Sequence, residues 1–470
     1  MGKMETAKQV TDRFDPSYQE ILDRDTRPVP EHFREENAPD LGTEPIAASR
    51  YTSQEFFERE AEKMWPRVWQ MACREEEIPQ VGDYHVYENV GKSYIIVRTK
   101  PDEIKALANV CLHRGRKLVT ADGCQHKFRC PYHGFTWNID GSFKEHPFDW
   151  DFSHLTKADL QLPEAQVGTW GGFVFINPDP EAPPLAEVLG LLPRHFARYD
   201  YAGRYKAAHV AKVVNCNWKV CAEAFMESHH TVDTHPQIMP YLSDLNSQYD
   251  VYSEYISRQI SAMGVTSPHL AHEGISDQEI VNRLFIGDTR HSSDGSAGTA
   301  EDDNPFKVPD GMSARAFCAE ALRKAFGDAD KADYTGAADA EMLDAILYNV
   351  FPNLSVWAGY MPNLVYRWRP YGGDVNKSIM DVMILKPVPG DAKERPAPAE
   401  RVFLDADQPW TDAQDQLGKG LADIFEQDMA NLPFVQEGLT ASMNNKVHFG
   451  RYQEMRIRMH HQTLDKYLDD

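Results

Sequence analysis

The sequence predicts an α+β protein in which a small all-β domain precedes a larger domain, an antiparallel sheet flanked by helices. Three observations carry this. Between residues 79 and 178, β-rich runs such as "DYHVYENVGKSYIIVRT", "FTWNIDGSFKEH" and "GGFVFINPDP" are broken by turn residues. From about residue 208 the pattern mixes elements. "AAHVAKVVNCNWKV" reads as a strand, "CAEAFMESHHTVDTH" as a helix, and "NLSVWAGYMPNLVYRWRP" with "SIMDVMILKPV" as paired strands of a larger sheet. Near the end, "TDAQDQLGKGLADIFEQDMANLPFVQEGL" is a long helical pattern. The 470 residues suffice for about three domains' worth of core.

Taken in order, residues 1–50 are Pro- and charge-rich and read as an extended arm packing on the larger domain. Residues 51–178 make the small domain. It opens on "TSQEFFEREAEKMWPRVWQMA", where Phe, Met and Trp recur at helical spacing, and it carries a hairpin signal at Asp140-Gly141. Residues 179–470 make the larger domain. Two stretches in it, 287–305 (rich in Ser, Gly and Asp) and 389–400 (rich in Pro and Ala), read as flexible surface loops.

Composition removes several function classes. Lys plus Arg is 49 against 72 for Asp plus Glu, a net charge of −23. With no local basic patch, such a chain does not track nucleic acid. No apolar run reaches the roughly 18 residues of a membrane helix, and the polar N-terminus is no secretory signal. Seven unevenly spaced cysteines fit a reducing cytoplasm better than a disulfide framework.

In that setting the stretch "CLHRGRKLVTADGCQHKFRCPYHGF", residues 111–135, points to metal. Cys111 and His113 form C-x-H; Cys130 and His133 form C-x-x-H. Mixed thiolate and imidazole ligands suit zinc or iron–sulfur. Structural zinc prefers pairs of like ligands, whereas each pair here is one Cys and one His. That suits two irons held by two loops, with each loop giving its Cys to one iron and its His to the other. Cys124 and His126 fit no ligand spacing. This pattern, with "HRG" and "PYHG" beside it, resembles a Rieske [2Fe–2S] domain, and the resemblance implies a one-electron carrier.

Some 300 residues follow, and they hold a second candidate site. In "NWKVCAEAFMESHHTVDTHP", Glu227 and His230 stand at i and i+3, neighbours on a helix face. His235 is five beyond His230, but Pro236 pushes it out of the helical region, so it can swing back. Two imidazoles need a carboxylate to complete the facial triad of non-haem iron, and the late segment "DIFEQDMANLPFVQEGL" offers several.

Over most of its length the chain resembles the α subunit of Rieske non-haem iron oxygenases, the aromatic ring-hydroxylating family. The carrying motifs are "NWK", an acid-x₂-H-x₄-H-P run, and a late "QD" with a Gln eight residues after the Asp. The resemblance assigns His230, His235 and Asp428 to a mononuclear Fe(II), with Gln436 as the Gln. It makes Glu227 the acid linking one subunit's cluster, through His133, to the neighbour's iron. Two departures stand out. The bridging acid is usually Asp, and here it is Glu. The expected Asn after Glu223 is Ala224. The Glu resembles members that oxidise quaternary amines.

The resemblance therefore implies a terminal oxygenase that uses O2 to hydroxylate an aromatic ring, or alternatively one that N- or O-demethylates or hydroxylates an amine or ether. No G-x-G-x-x-G fingerprint follows any strand, so electrons from NAD(P)H must arrive through a separate reductase, directly or through a ferredoxin. The family works as a ring of three α subunits, sometimes with β subunits, and a homotrimer is expected. A bare electron carrier or a zinc-stapled binding protein leaves Glu227, His230, His235 and Asp428 unexplained.

Overall fold

The computed structural model describes residues 16–286, 306–361 and 363–469; the insertion at 287–305 lies outside them. Two large sheets organise the chain. The small domain is built on a seven-stranded antiparallel sheet running from Gln70–Arg74 at one edge, through Phe173–Asn177, Glu164–Trp170, Glu103–Ala108, Lys92–Lys100 and Asp83–Asn89, to the short Gly123–Cys124 at the other. A three-stranded sheet, Lys127–Arg129, Thr136–Asn138 and Phe143–Glu145, carries the second Cys/His loop. Its hairpin turns at Asp140-Gly141 as expected, with Gly141 at φ +85°, a backbone region open to glycine.

The large domain holds an eight-stranded sheet. Arg204–Val214 pairs antiparallel with the long strand Asp374–Pro387, next to Leu364–Tyr371 and Leu354–Ala358. The apolar alternation of these strands faces a core of Val210, Trp368, Met380, Val382 and Phe425, which covers the helices bearing the second site. Phe225 packs against Phe425 of this core, the ring centroids 6.1 Å apart and the planes tilted by 56°.

The two domains share packing. Trp69, Met71, Phe173 and Phe175 of the small domain lie in one cluster with Tyr348, Val365 and Leu385 of the large sheet, and Tyr18, Ile21 and Phe33 of the N-terminal segment join it. Arg367 crosses the boundary, donating to the backbone oxygens of Met71 and Ala72 at 3.0 and 2.8 Å, while Arg369 donates to that of Glu88 at 2.9 Å. Asp381 balances both guanidinium groups at 3.0 and 3.1 Å and also meets His209 at 2.9 Å.

Several elements differ from expectation. The Phe/Met/Trp run is helical only to Arg67, through a π-helical turn at Glu60–Met64, and then becomes the strand Gln70–Arg74. Pro66 denies the helix a donor there. "AAHVAKVVNCNWKV" is strand only to Val214. Asn217 then caps the helix Trp218–Glu223, its side chain accepting from the Lys219 N–H. The long terminal pattern breaks into Gln414–Leu417, Lys419–Met429 and Leu432–Thr440, interrupted by Gly418 at φ +82° and by Pro433. The stretch 389–400 is irregular.

Candidate metal centres

Cys111 and Cys130 head two loops with the same backbone closure. Cys111 N–H donates to Arg116 O at 2.8 Å and Gly115 N–H to Cys111 O at 2.9 Å; Cys130 N–H donates to Phe135 O at 2.8 Å and Gly134 N–H to Cys130 O at 3.0 Å. Gly115 and Gly134 turn these loops at φ +77° and +80°. The loops face each other. The His113 and His133 rings lie 4.7 Å apart, and both thiols are buried. Burial, then the neighbouring Cys130, pushes the Cys111 thiol up. His113 Nδ1 is buried with no hydrogen-bond partner, a costly state unless a ligand occupies it. Two buried thiols and an unpartnered imidazole nitrogen fit an iron–sulfur cluster. Cys124, by contrast, is exposed on a strand pairing with Asp83.

The second group forms where the expected helix does not continue. Residues 224–230 are turns between Trp218–Glu223 and Thr231–Thr234. Glu227 and His230 still meet: Glu227 Oε1 lies 2.7 Å from His230 Nδ1, and Oε2 accepts from the His230 backbone N–H at 3.0 Å. His235 leaves its helix at φ −128°, ψ 50°. Its Nε2 lies 2.9 Å from Asp428 Oδ1, and His230 Nε2 lies 3.8 Å from the same oxygen.

The ligand atoms of His230, His235 and Asp428 all fall within 4.8 Å of one another, and His235 and Asp428 are buried. Each imidazole is anchored from behind. His230 Nδ1 is held by Glu227, and His235 Nδ1 by Gln427 Oε1 at 2.8 Å, an oxygen that also accepts from Gln237 Nε2 at 2.8 Å. With both Nδ1 atoms donating outward, both Nε2 lone pairs converge on a carboxylate. Three acceptors facing one point repel unless a cation sits between them, and outward anchoring of this kind is the usual support of metal-bound imidazoles. The donor set fits non-haem iron.

Burial raises the Glu227 carboxyl, but hydrogen bonds from His229 and His230 outweigh it and hold the group well below the usual carboxylate range. His229 Nδ1 lies 3.0 Å from Glu227 Oε2, on the same carboxylate that holds His230. Gln436 does not face the group. It accepts from the Asn217 N–H and donates to Asn376, tying the two helical segments together. Gln427 is a participant that spacing alone does not find; its signal is the "QD" pair itself.

A thiol-and-imidazole cradle in the small domain and a two-His, one-carboxylate group in the large one give the donor sets of a two-centre iron protein. Residues 68–152 match the model of the Rieske [2Fe–2S] domain, and residues 195–470, more than half of the chain, match that of the ring hydroxylating α subunit, catalytic domain. The chain belongs to the ring-hydroxylating α subunit family.

Among relatives, it is 32% identical over 207 residues to biphenyl 2,3-dioxygenase subunit α of Rhodococcus jostii, covering 43% of this chain and 45% of that one. It is 29% identical over 194 residues to the carnitine monooxygenase oxygenase subunit of Escherichia coli, covering 41% and 52%. The matches span about half the length of these relatives. In fold it resembles a quaternary ammonium Rieske monooxygenase (TM-score 0.61, 18% identity, 91% and 96% covered) and naphthalene 1,2-dioxygenase from Rhodococcus sp. (0.59, 19%, 90% and 94%). No helix of the described residues is long and apolar enough to cross a membrane.

Proposed function

We propose that the chain is the terminal oxygenase of a multicomponent system, with Cys111, His113, Cys130 and His133 holding a [2Fe–2S] cluster and His230, His235 and Asp428 a mononuclear iron. The observation that carries the reading is the convergence of three acceptor atoms within 4.8 Å, each imidazole anchored from behind. When bound, the two centres supply one-electron transfer and O2 activation. The chain's own residues do the rest. Glu227 and Gln427 fix the two imidazoles so that Nε2 faces Asp428. Glu227, kept ionised, stands ready to accept a hydrogen bond from His133 of a neighbouring copy. His133 lies beside Tyr132, which is 57% exposed, so the cluster loops can reach such a neighbour and an external reductase or ferredoxin. A homotrimer meets the need for one chain's loops to face another's iron.

Two substrate classes rest on separate observations. Glu227, one methylene longer than the usual Asp, favours oxidation of a quaternary or tertiary amine, with the carnitine relative in support. The biphenyl relative favours an aromatic ring. Electron paramagnetic resonance of the anaerobically reduced, iron-replete protein with nitric oxide tests both, using a panel of aromatic acids, aromatic hydrocarbons and quaternary amines. A high-spin iron–nitrosyl signal shifted by amines alone supports the first class, and a shift with an aromatic supports the second. No signal at all removes the iron assignment and the oxygenase reading with it.

A further inference from the structure

A cavity of about 290 Å³ opens beside the second group and is lined by Tyr51, Glu223, Glu227, His230, Asp428 and Glu454. Two of these, Tyr51 and Glu223, meet a third side chain from a distant part of the chain. Tyr51 comes from the helix Ser49–Thr52, Glu223 ends Trp218–Glu223, and His461 lies within Met455–Asp469. Tyr51 Oη is 2.8 Å from Glu223 Oε2 and 2.8 Å from His461 Nε2, and His461 Nε2 is 2.8 Å from Glu223 Oε1. Tyr51 and His461 are 1% and 2% exposed, and His461 Nδ1 is buried without a partner.

We propose that Tyr51, Glu223 and His461 form a proton relay serving this cavity. The inference rests on the oxygenase reading, in which substrate, O2, two electrons from the external reductase and two protons give the hydroxylated product and water, or a diol.

At rest His461 Nε2–H donates to Glu223 Oε1 and the protonated Oε2 donates to Tyr51 Oη, which leaves the Tyr51 hydroxyl proton free to pass to the cavity that Tyr51 lines. As that proton leaves, the Oε2 proton moves to Tyr51, and Glu223 becomes a carboxylate that accepts from both the Tyr51 O–H and the His461 Nε2–H. Lys219 and Arg50 offset its charge, which would otherwise be expensive in a buried site. A proton entering from the cavity at Tyr51 reverses the movement, so one proton leaves and one returns through the same hydroxyl.

The surroundings favour neutral partners. Burial pushes the Glu223 carboxyl up to about 8, against the Tyr51 hydrogen bond and the charges of Lys219 and Arg50. Burial, then Arg50 and Lys219, hold His461 well below its usual range. Those cations are themselves paired, Lys219 with Glu60 and Arg50 with Asp465 at 2.6 Å. Arg458 and Asp465 act on His461 from its own helix, and Glu454 and Glu227 line the same cavity.

The test is infrared difference spectroscopy of wild type against Glu223→Gln, with and without loaded metals. A carboxylic-acid C=O band belonging to Glu223 is expected at pH 7; it should shift in D2O, vanish as pH rises through about 8, and move in Tyr51→Phe. Absence of the band at pH 7 overturns the relay. In the loaded protein, re-oxidation of the dithionite-reduced cluster by O2 should slow roughly a hundredfold in Glu223→Gln, with Glu223→Asp partly restoring it and the solvent isotope effect changed. An unchanged rate and isotope effect, with melting temperature also unchanged, refutes a proton-transfer role. If wild type shows no O2-driven re-oxidation, the oxygenase reading fails while the carboxyl band still decides whether Glu223 stores a proton.

Discussion

Replacing Asp381 with Asn tests how the two domains are held together. Asp381 is fully buried and faces Arg367, Arg369 and His209, each no more than 9% exposed in its side chain. Breaking a buried pair by removing one partner costs about 3–5 kcal/mol, because the remaining charge stays desolvated. Here two guanidinium groups lose their shared anion, which places the cost near the upper end. Asn still offers one oxygen, returning about 1 kcal/mol, so the net loss is about 4 kcal/mol.

At roughly 2.1 cal/mol/K per residue, a chain of 470 residues has an unfolding entropy near 1 kcal/mol/K. The expected drop in Tm is therefore about 4 °C. Scanning calorimetry at pH 7 reads it, with visible absorbance of the cluster and near-ultraviolet dichroism as probes of the two domains. Because Arg367 and Arg369 also hold small-domain carbonyls, both probes should shift together. Asp423→Asn, which breaks the exposed pair with Lys419, is the control and should shift Tm by no more than about 1 °C. A shift of Asp381→Asn as small as the control's, or a shift in one probe alone, refutes the reasoning.

Other expectations follow from the same geometry. Asp428→Ala should lose the mononuclear iron while keeping cluster absorbance, which metal analysis beside a visible spectrum reads. Gln427→Leu, which frees His235 Nδ1, should weaken that iron by about 10–100-fold in chelator competition. Burial lowers His209 from 6.5 to about 4, so between those values the unfolded chain binds a proton the folded chain refuses. Stability should fall as pH drops through that window, by about 3 kcal/mol, and His209→Gln should flatten the acid limb of a urea-midpoint profile. Gly115→Ala, where a methyl meets open space, should cost only the left-handed strain of about 1–2 kcal/mol. Gly134→Ala should cost about the same, since the nearest atom to its methyl, Arg129 Nη2 at 2.8 Å, ends an exposed, flexible side chain that can move aside.

What was legible in the sequence was local. The two Cys/His pairs declare themselves because each sits within three residues on one turn, and the strand runs from residue 353 to 388 declare themselves by alternation. The helical reading of 221–235 was only partly right. Glu227 and His230 meet through a turn rather than across a helix face, because the chain leaves the helix at Glu223, and i, i+3 proximity survives in either geometry. Pro236 did indicate that His235 leaves the helix. Tyr51 and His461, 410 residues apart, carry no mutual signal. Their meeting depends on the C-terminal helix packing back along the sheet, a long-range outcome that periodicity does not encode. Asp381 was equally silent, since a lone acid in a strand announces nothing until the facing arginines are placed.

The matched closure of the two Cys/His loops makes them copies of one clasp. In each, the same two backbone hydrogen bonds and a left-handed glycine four residues past the cysteine set the turn. Each cysteine therefore takes its orientation from the backbone of its own short segment, and the pair behaves as a duplicated part whose two halves share the same weak point at the glycine.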